Sequence, residues 1–145
     1  LRCLVGSEMC IRDSGTAVEN PEMVCFICDK AYKNKVEGLV GNEDVGQMSA
    51  WYVLAACGLY PVCPGDTRYE ISSPVFEKTE IQVGEGNTFI IRANRNTPEN
   101  TYIQSAKLNG TDYTRCYLDY RDIMKGGVLE LEMGPEPNTN WGVNN

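Results

Sequence analysis

Histidine is absent from the 145 residues. That absence removes Ser-His-Asp triads, Cys-His dyads and His-liganded zinc in one step. Acid–base chemistry near neutral pH therefore falls to carboxylates, Lys, Tyr or Cys. Basic residues are the scarcer sign: 13 Lys and Arg stand against 20 Asp and Glu, a net charge of −7. Without a basic stripe to meet phosphates, nucleic-acid binding is disfavoured. The acidic balance also argues against docking on anionic lipid. No apolar run approaches the roughly 20 residues of a membrane span. What is present suffices for a core: 42% hydrophobic and 23% charged residues lie in the ordinary globular range rather than the disordered one. At this length one domain is the expectation and two small ones the limit.

The first fourteen residues, LRCLVGSEMCIRDS, stand apart. They resemble the translated adapter read-through that caps some reading frames called from metagenomic reads. A signal peptide needs a basic end, an apolar stretch of about 7–15 residues and small residues before the cut. Glu8, Arg12 and Asp13 interrupt any such stretch. The expectation is that residues 1–14 are not native and that the natural chain begins upstream of Gly15. The string carries two Arg, one Glu and one Asp, so setting it aside leaves the net charge unchanged.

Of seven cysteines, Cys25, Cys28, Cys57, Cys63 and Cys116 lie beyond that string. Cys25-x-x-Cys28 has no second pair and no His to complete four ligands. It also sits inside an apparent helix. Small buried or half-buried thiols are the better reading. Cys57 and Cys63 are near enough in sequence to bridge, but an odd count gives no disulfide framework and no clear compartment.

Asn20-Pro21 reads as a helix start, with the helix running to about Asn34 on an apolar stripe of Val24, Ile27, Cys28 and Ala31. A second helix is expected from Val45 to Leu59. It is apolar almost all round, which predicts burial on several sides. After Gly65 the pattern switches to period two. Strands are expected at Tyr69–Ser72, Val75–Phe76, Thr79–Val83, Thr88–Ala93, Tyr102–Leu108 and Val128–Met133. Glu85-Gly86-Asn87 and Asn109-Gly110 read as hairpin turns. Tyr120–Lys125 is a short helix stopped by Gly126-Gly127, and the Pro- and Asn-rich tail from Pro135 is expected to run along the surface. The fold class is α+β: two helices, then an antiparallel sheet of four to six strands packed with helix. The organisation is residues 1–14 as non-native, 15–62 as a helical segment, and 63–145 as a β-rich α+β portion.

The loop Gly41–Gln47 is where chemistry concentrates. Asn42, Glu43 and Asp44 put two carboxylates and an amide at a helix N-terminus. The helix dipole stabilises the charged carboxylate there. That suits a general base or an electrostatic stabiliser better than a general acid. The bland alternative is that Asp44 caps the helix and Glu43 is solvated.

The run Gly41-Asn42-Glu43-Asp44-Val45-Gly46-Gln47-Met48-Ser49-Ala50-Trp51-Tyr52-Val53 resembles the signature of glycoside hydrolase family 92. Further resemblances follow in order: Gly58–Gly65, Tyr102–Gly110, Met133–Asn138 and Asn140-Trp141-Gly142. The resemblance implies calcium-dependent, exo-acting, inverting α-mannosidases, many of them α-1,2-specific. It implies a long parent with an N-terminal β-sandwich and an (α/α)6 barrel, of which this chain would supply the last barrel helices and the C-terminal α+β portion. The family's base then maps to Asp44, with Glu43 as second choice. A family carboxylate two positions earlier falls on Asn42, which is neutral and cannot be a base. Asn42, Gln47 and Trp51 are the candidates for touching the sugar, although Trp51 and Tyr52 on an apolar helix are more often core. The general acid and most calcium ligands would lie upstream, and no metal ligand is assigned here. The implied partners are α-mannoside glycans and the missing N-terminal part of the same chain, with periplasmic or secreted location expected. The isolated chain should be inactive. The rival reading is a non-catalytic carbohydrate-binding or interaction module built on the α+β part alone.

Overall fold

Val24, Ile27, Cys28 and Ala31 recur at helical spacing and are buried along one face of helix α1 (Asn20–Ala31). The coordinates are a computed structural model that describes residues 20–63 and 65–142. The fourteen-residue string and the Asn20 cap side chain lie outside the described residues. Helix α1 stops three residues earlier than its sequence suggests. Tyr32 leaves the helix to form an antiparallel bridge with Leu39.

Helix α2 (Gln47–Ala56) is shorter at both ends than the Val45–Leu59 expectation. Val45 and Gly46 both hold left-handed backbone, φ 58° and 81°, so no helical turn can begin on them. At the other end Leu59–Tyr60 becomes strand β1. The expected burial on several sides is not met among the described residues. Only Ala55 and Ala56 of α2 are buried, and Val53 is 60% exposed. The two helices share a small core of Val24, Cys28 and Ala55, with Trp51 and Tyr52 packed beside it.

Beyond the helices, strands β2 (Arg68–Ile71), β3 (Lys78–Gln82), β4 (Thr88–Asn94), β5 (Tyr102–Leu108), β6 (Thr111–Asp112), β7 (Tyr117–Asp119) and β8 (Gly127–Gly134) form two sheets. The expected period-two segments are strands, apart from Val75–Phe76, which is exposed and irregular. The larger sheet runs β3-β4-β8-β5-β6 and the smaller β1-β2-β7. The larger sheet is antiparallel except where β8 lies parallel to β4. Alternation along β4 and β8 sends Phe89, Ile91, Ala93, Leu129, Leu131 and Met133 into the main core, and a register shift between Ile103 and Ser105 lets β5 add Ile103 and Ala106 to it. Leu118 and Ile123 from the smaller sheet and helix α3 (Tyr120–Met124) close that core.

Both expected hairpin turns form. Asn109 and Gly110, at φ 52° and 80°, make a two-residue loop between Leu108 and Thr111, as a type I′ turn requires. Asp119 caps α3 by accepting a hydrogen bond from Arg121 N at 2.8 Å. That bond, with a second from Thr67 Oγ1, holds its carboxyl below the usual range. The tail stays at the surface from Pro135 to Asn140, as expected, and turns inward after it. Trp141 is buried, and its indole Nε1 donates to Tyr113 O at 3.0 Å. An aromatic ring that large gains more from the core than from solvent once its N–H has a partner.

Candidate active-site loop

The acidic loop hangs between α1 and α2, and its geometry starts from Tyr32. Leaving α1, Tyr32 bridges to Leu39 on the near side of the loop. On the far side its phenol donates to Met48 O at 3.0 Å. Its ring stacks on Trp51 at 5.8 Å between centroids and leans on Tyr52 at 4.7 Å. One residue thus ties both ends of the loop, by its backbone at Leu39 and by its phenol at Met48. Burial, followed by the neighbouring Cys28, Glu43 and Tyr60, pushes the phenol up to about 12. It therefore stays a hydrogen-bond donor throughout the neutral range.

Across the loop the two adjacent carboxylates take different roles. Glu43 Oε1 accepts from Ser49 N at 3.1 Å, in the first turn of α2. This satisfies one of the amides that a helix start leaves open. Asp44 contributes only its backbone carbonyl, which accepts from Gln47 N at 3.1 Å. Among the described residues the Asp44 carboxylate takes no side-chain hydrogen bond, and Asp44 is exposed. The capping reading of Asp44 is therefore corrected: the cap is Glu43, six residues upstream of the amide it satisfies. A cap so far upstream becomes possible because Val45 and Gly46 turn the chain back through the left-handed region. Left-handed backbone is strained for a β-branched residue such as Val45, at about 1–3 kcal/mol.

The other sequence candidates spread around this loop. Asn42 and Gln47 are exposed. Trp51 lies one turn beyond Gln47 on the same helix face, half-buried, with one ring face taken by Tyr32. Sequence reasoning missed Tyr32 because its partners sit 16 residues away and across a loop. No local pattern announces such a bond.

A groove of about 700 Å³ opens beside the helices, lined in part by Cys25, Phe26, Tyr32, Tyr52, Val75 and Tyr102. Neither Glu43 nor Asp44 lines it. Cys25 borders it from within α1, its thiol pushed up chiefly by burial, as an unreactive buried thiol should be. Among the described residues no group of three or more His, Cys, Asp or Glu side chains converges as a metal site would.

A family model described as "Glycosyl hydrolase family 92 catalytic domain" matches residues 14–135. The chain belongs to glycoside hydrolase family 92. A family 92 inverting mannosidase from Bacteroides thetaiotaomicron superposes with a TM-score of 0.77 at 40% identity, over 86% of this chain and 18% of that one. A family 92 α-mannosidase of the same bacterium, solved with mannoimidazole, superposes with a TM-score of 0.81 at 35% identity, over 86% of this chain and 16% of that one. An uncharacterized secreted glycosidase of Arthroderma benhamiae is 39% identical over 115 residues, which is 77% of this chain and 15% of the relative. The chain thus spans less than a fifth of each of these relatives, and its α+β fold is the one they carry over that span. No helix among the described residues is long and apolar enough to cross a membrane.

Proposed function

We propose that this chain is the C-terminal part of an exo-acting α-mannosidase that releases terminal α-linked mannose with inversion, and that Asp44 is its general base. Inversion needs an acid on the leaving oxygen and a base on a water at the opposite face, the two roughly 6.5–9.5 Å apart. The observation that carries the reading is the division of labour in the loop. Glu43 gives one carboxylate oxygen to Ser49 N, while the Asp44 carboxylate is exposed and accepts no hydrogen bond from the described residues. A base must keep a lone pair for the proton it will take. The exposed Asp44 carboxylate, on a loop that Tyr32 ties at both ends, supports this reading.

The general acid, a Glu, belongs to the upstream part of the parent, as do most ligands of the family's calcium. The residues described here do not by themselves make a calcium site, so no step is assigned to the ion. Residues 15–62 supply the end of the catalytic barrel and residues 63–145 the C-terminal portion, while residues 1–14 stand outside the family domain. The family match over residues 14–135 leaves residues 1–13 outside it. Phe26 and Val53, 56% and 60% exposed, form bare apolar faces on α1 and α2. Neighbouring barrel helices of the parent would cover them. Gln47 and Asn42 would contact the sugar from the loop, with Trp51 as support. The substrate class is terminal α-mannosides of N-glycans or mannans, with α-1,2 linkage favoured, acted on outside the cytoplasm.

The test is mannose release from α-1,2-mannobiose by the 145-residue chain and by the parent recovered by long-read sequencing upstream. The parent should release mannose as the β-anomer first, and the 145-residue chain should release none. Turnover by the short chain alone would contradict the reading. Mannose binding by the short chain, seen as a calorimetric shift, would instead favour the binding-module alternative.

A further inference from the structure

We propose that Asn109 is a latent deamidation site, chemically primed by Gly110 and held closed by strand β8. The priming is a matter of sequence. Asn109-Gly110 is an Asn-Gly pair, and a glycine amide meets no side chain of its own on approaching the preceding carboxamide. The Gly110 nitrogen attacks Asn109 Cγ. The new N–Cγ bond forms, the Cγ–Nδ2 bond breaks, and Nδ2 leaves as ammonia with the proton of the Gly110 amide. Water then opens the cyclic imide at one of its two carbonyls, giving aspartate or isoaspartate. The net change is amide plus water to carboxylate plus ammonium, with no oxidation or reduction.

The closure is a matter of the fold. Asn109 Oδ1 accepts from Val128 N at 2.8 Å, and Asn109 N donates to Val128 O at 2.8 Å. The side chain thus extends the β5–β8 ladder past its last register pair, Leu108 with Leu129. Beneath it lies Gly127, where a Cβ would overlap Asn109 Oδ1 and come within 3.0 Å of Cγ. Asn109 is exposed, so shielding from water is not what protects it. Commitment of its carbonyl to β8 is. Cyclisation must break the Val128 bond and lift the carboxamide out of the space that Gly127 leaves open. The damaging product is isoaspartate, because it inserts Cβ into the main chain. That lengthens the two-residue loop and misaligns Leu108 with Thr111 and Lys107 with Asp112.

The experiment incubates the 145-residue chain at mildly alkaline pH, with and without concentrated urea. Peptide mapping then quantifies Asn, Asp and isoaspartate at position 109, and hydrogen exchange follows the Val128 amide. Conversion in buffer should be slower than in urea by about fivefold, the factor that one net hydrogen bond of about 1 kcal/mol sets when it must open first. Rates within about twofold of each other would overturn the proposal whatever Val128 does. With the Val128 amide protected, the bond forms and does not protect; with it unprotected, the bond does not form. Gly127→Ala should raise the rate in buffer toward the urea value. If that variant does not fold, the wild-type comparison still decides.

Discussion

Glu43 accepts a hydrogen bond from Ser49 N at 3.1 Å, and the bond separates two adjacent carboxylates by role. One closes the first turn of α2; the other faces outward. The chain departs from ordinary helix starts, where the capping side chain comes from the residue flanking the first turn. Here that residue is Gly46, which has no side chain to offer, and the loop folds back to bring Glu43 instead.

Glu43→Ala should therefore act on stability. Losing a charged acceptor at a helix start costs about 0.5–1 kcal/mol at an exposed site. Glu43→Gln keeps an acceptor and should cost less. Urea unfolding of both variants checks the order. Equal, negligible effects would place the helix start elsewhere.

Tyr32→Phe removes the phenol that reaches Met48 while keeping the ring on Trp51 and Tyr52. A neutral hydrogen bond of this kind contributes about 1 kcal/mol, and the variant should lose about that much. The pH dependence has a definite sign. A phenol raised from about 10 to about 12 adds stability that is complete below pH 10 and is lost as pH rises toward 12. The wild-type urea midpoint should fall across that window, and the Tyr32→Phe midpoint should fall less. Parallel curves would show that Tyr32 is not the group titrating.

Trp141→Ala should be far more damaging than its place near the C-terminus suggests. The ring is 9% exposed, belongs to the main core and gives its N–H to Tyr113 O. Large-to-small changes at buried aromatic sites cost about 3–5 kcal/mol. Thermal unfolding that moves little would return the ring to the surface.

Much of this was legible in the residues. Alternation marks β4 and β8 nearly to the residue, because one face of each is buried at period two; β5 keeps its expected bounds although a register shift between Ile103 and Ser105 breaks that period. Asn109-Gly110 marked its turn because few pairs tolerate two positive φ angles. The parallel β4–β8 ladder was not legible. Strand order depends on which edges meet after β5, β6, β7 and α3 have intervened, and no local pattern encodes that. Tyr32 and the Glu43 cap escaped for the same reason, since both depend on chain reversal at Val45 and Gly46. Trp141 enters the core although the Pro- and Asn-rich residues around it stay at the surface, because that composition describes the backbone and not the ring. The apolar circumference of α2 predicts burial on several sides, whereas among the described residues only Ala55 and Ala56 of that helix are buried.

Asp44 carries the central claim, and one substitution tests it most directly. Asp44→Asn in the parent enzyme removes a base while preserving size, and no side-chain hydrogen bond among the described residues is lost with it. Stability should stay within about 0.5 kcal/mol. Turnover of α-1,2-mannobiose should fall by about 10²–10⁴-fold, the span of general-base catalysis. Near-normal turnover in a folded Asp44→Asn enzyme would contradict the account.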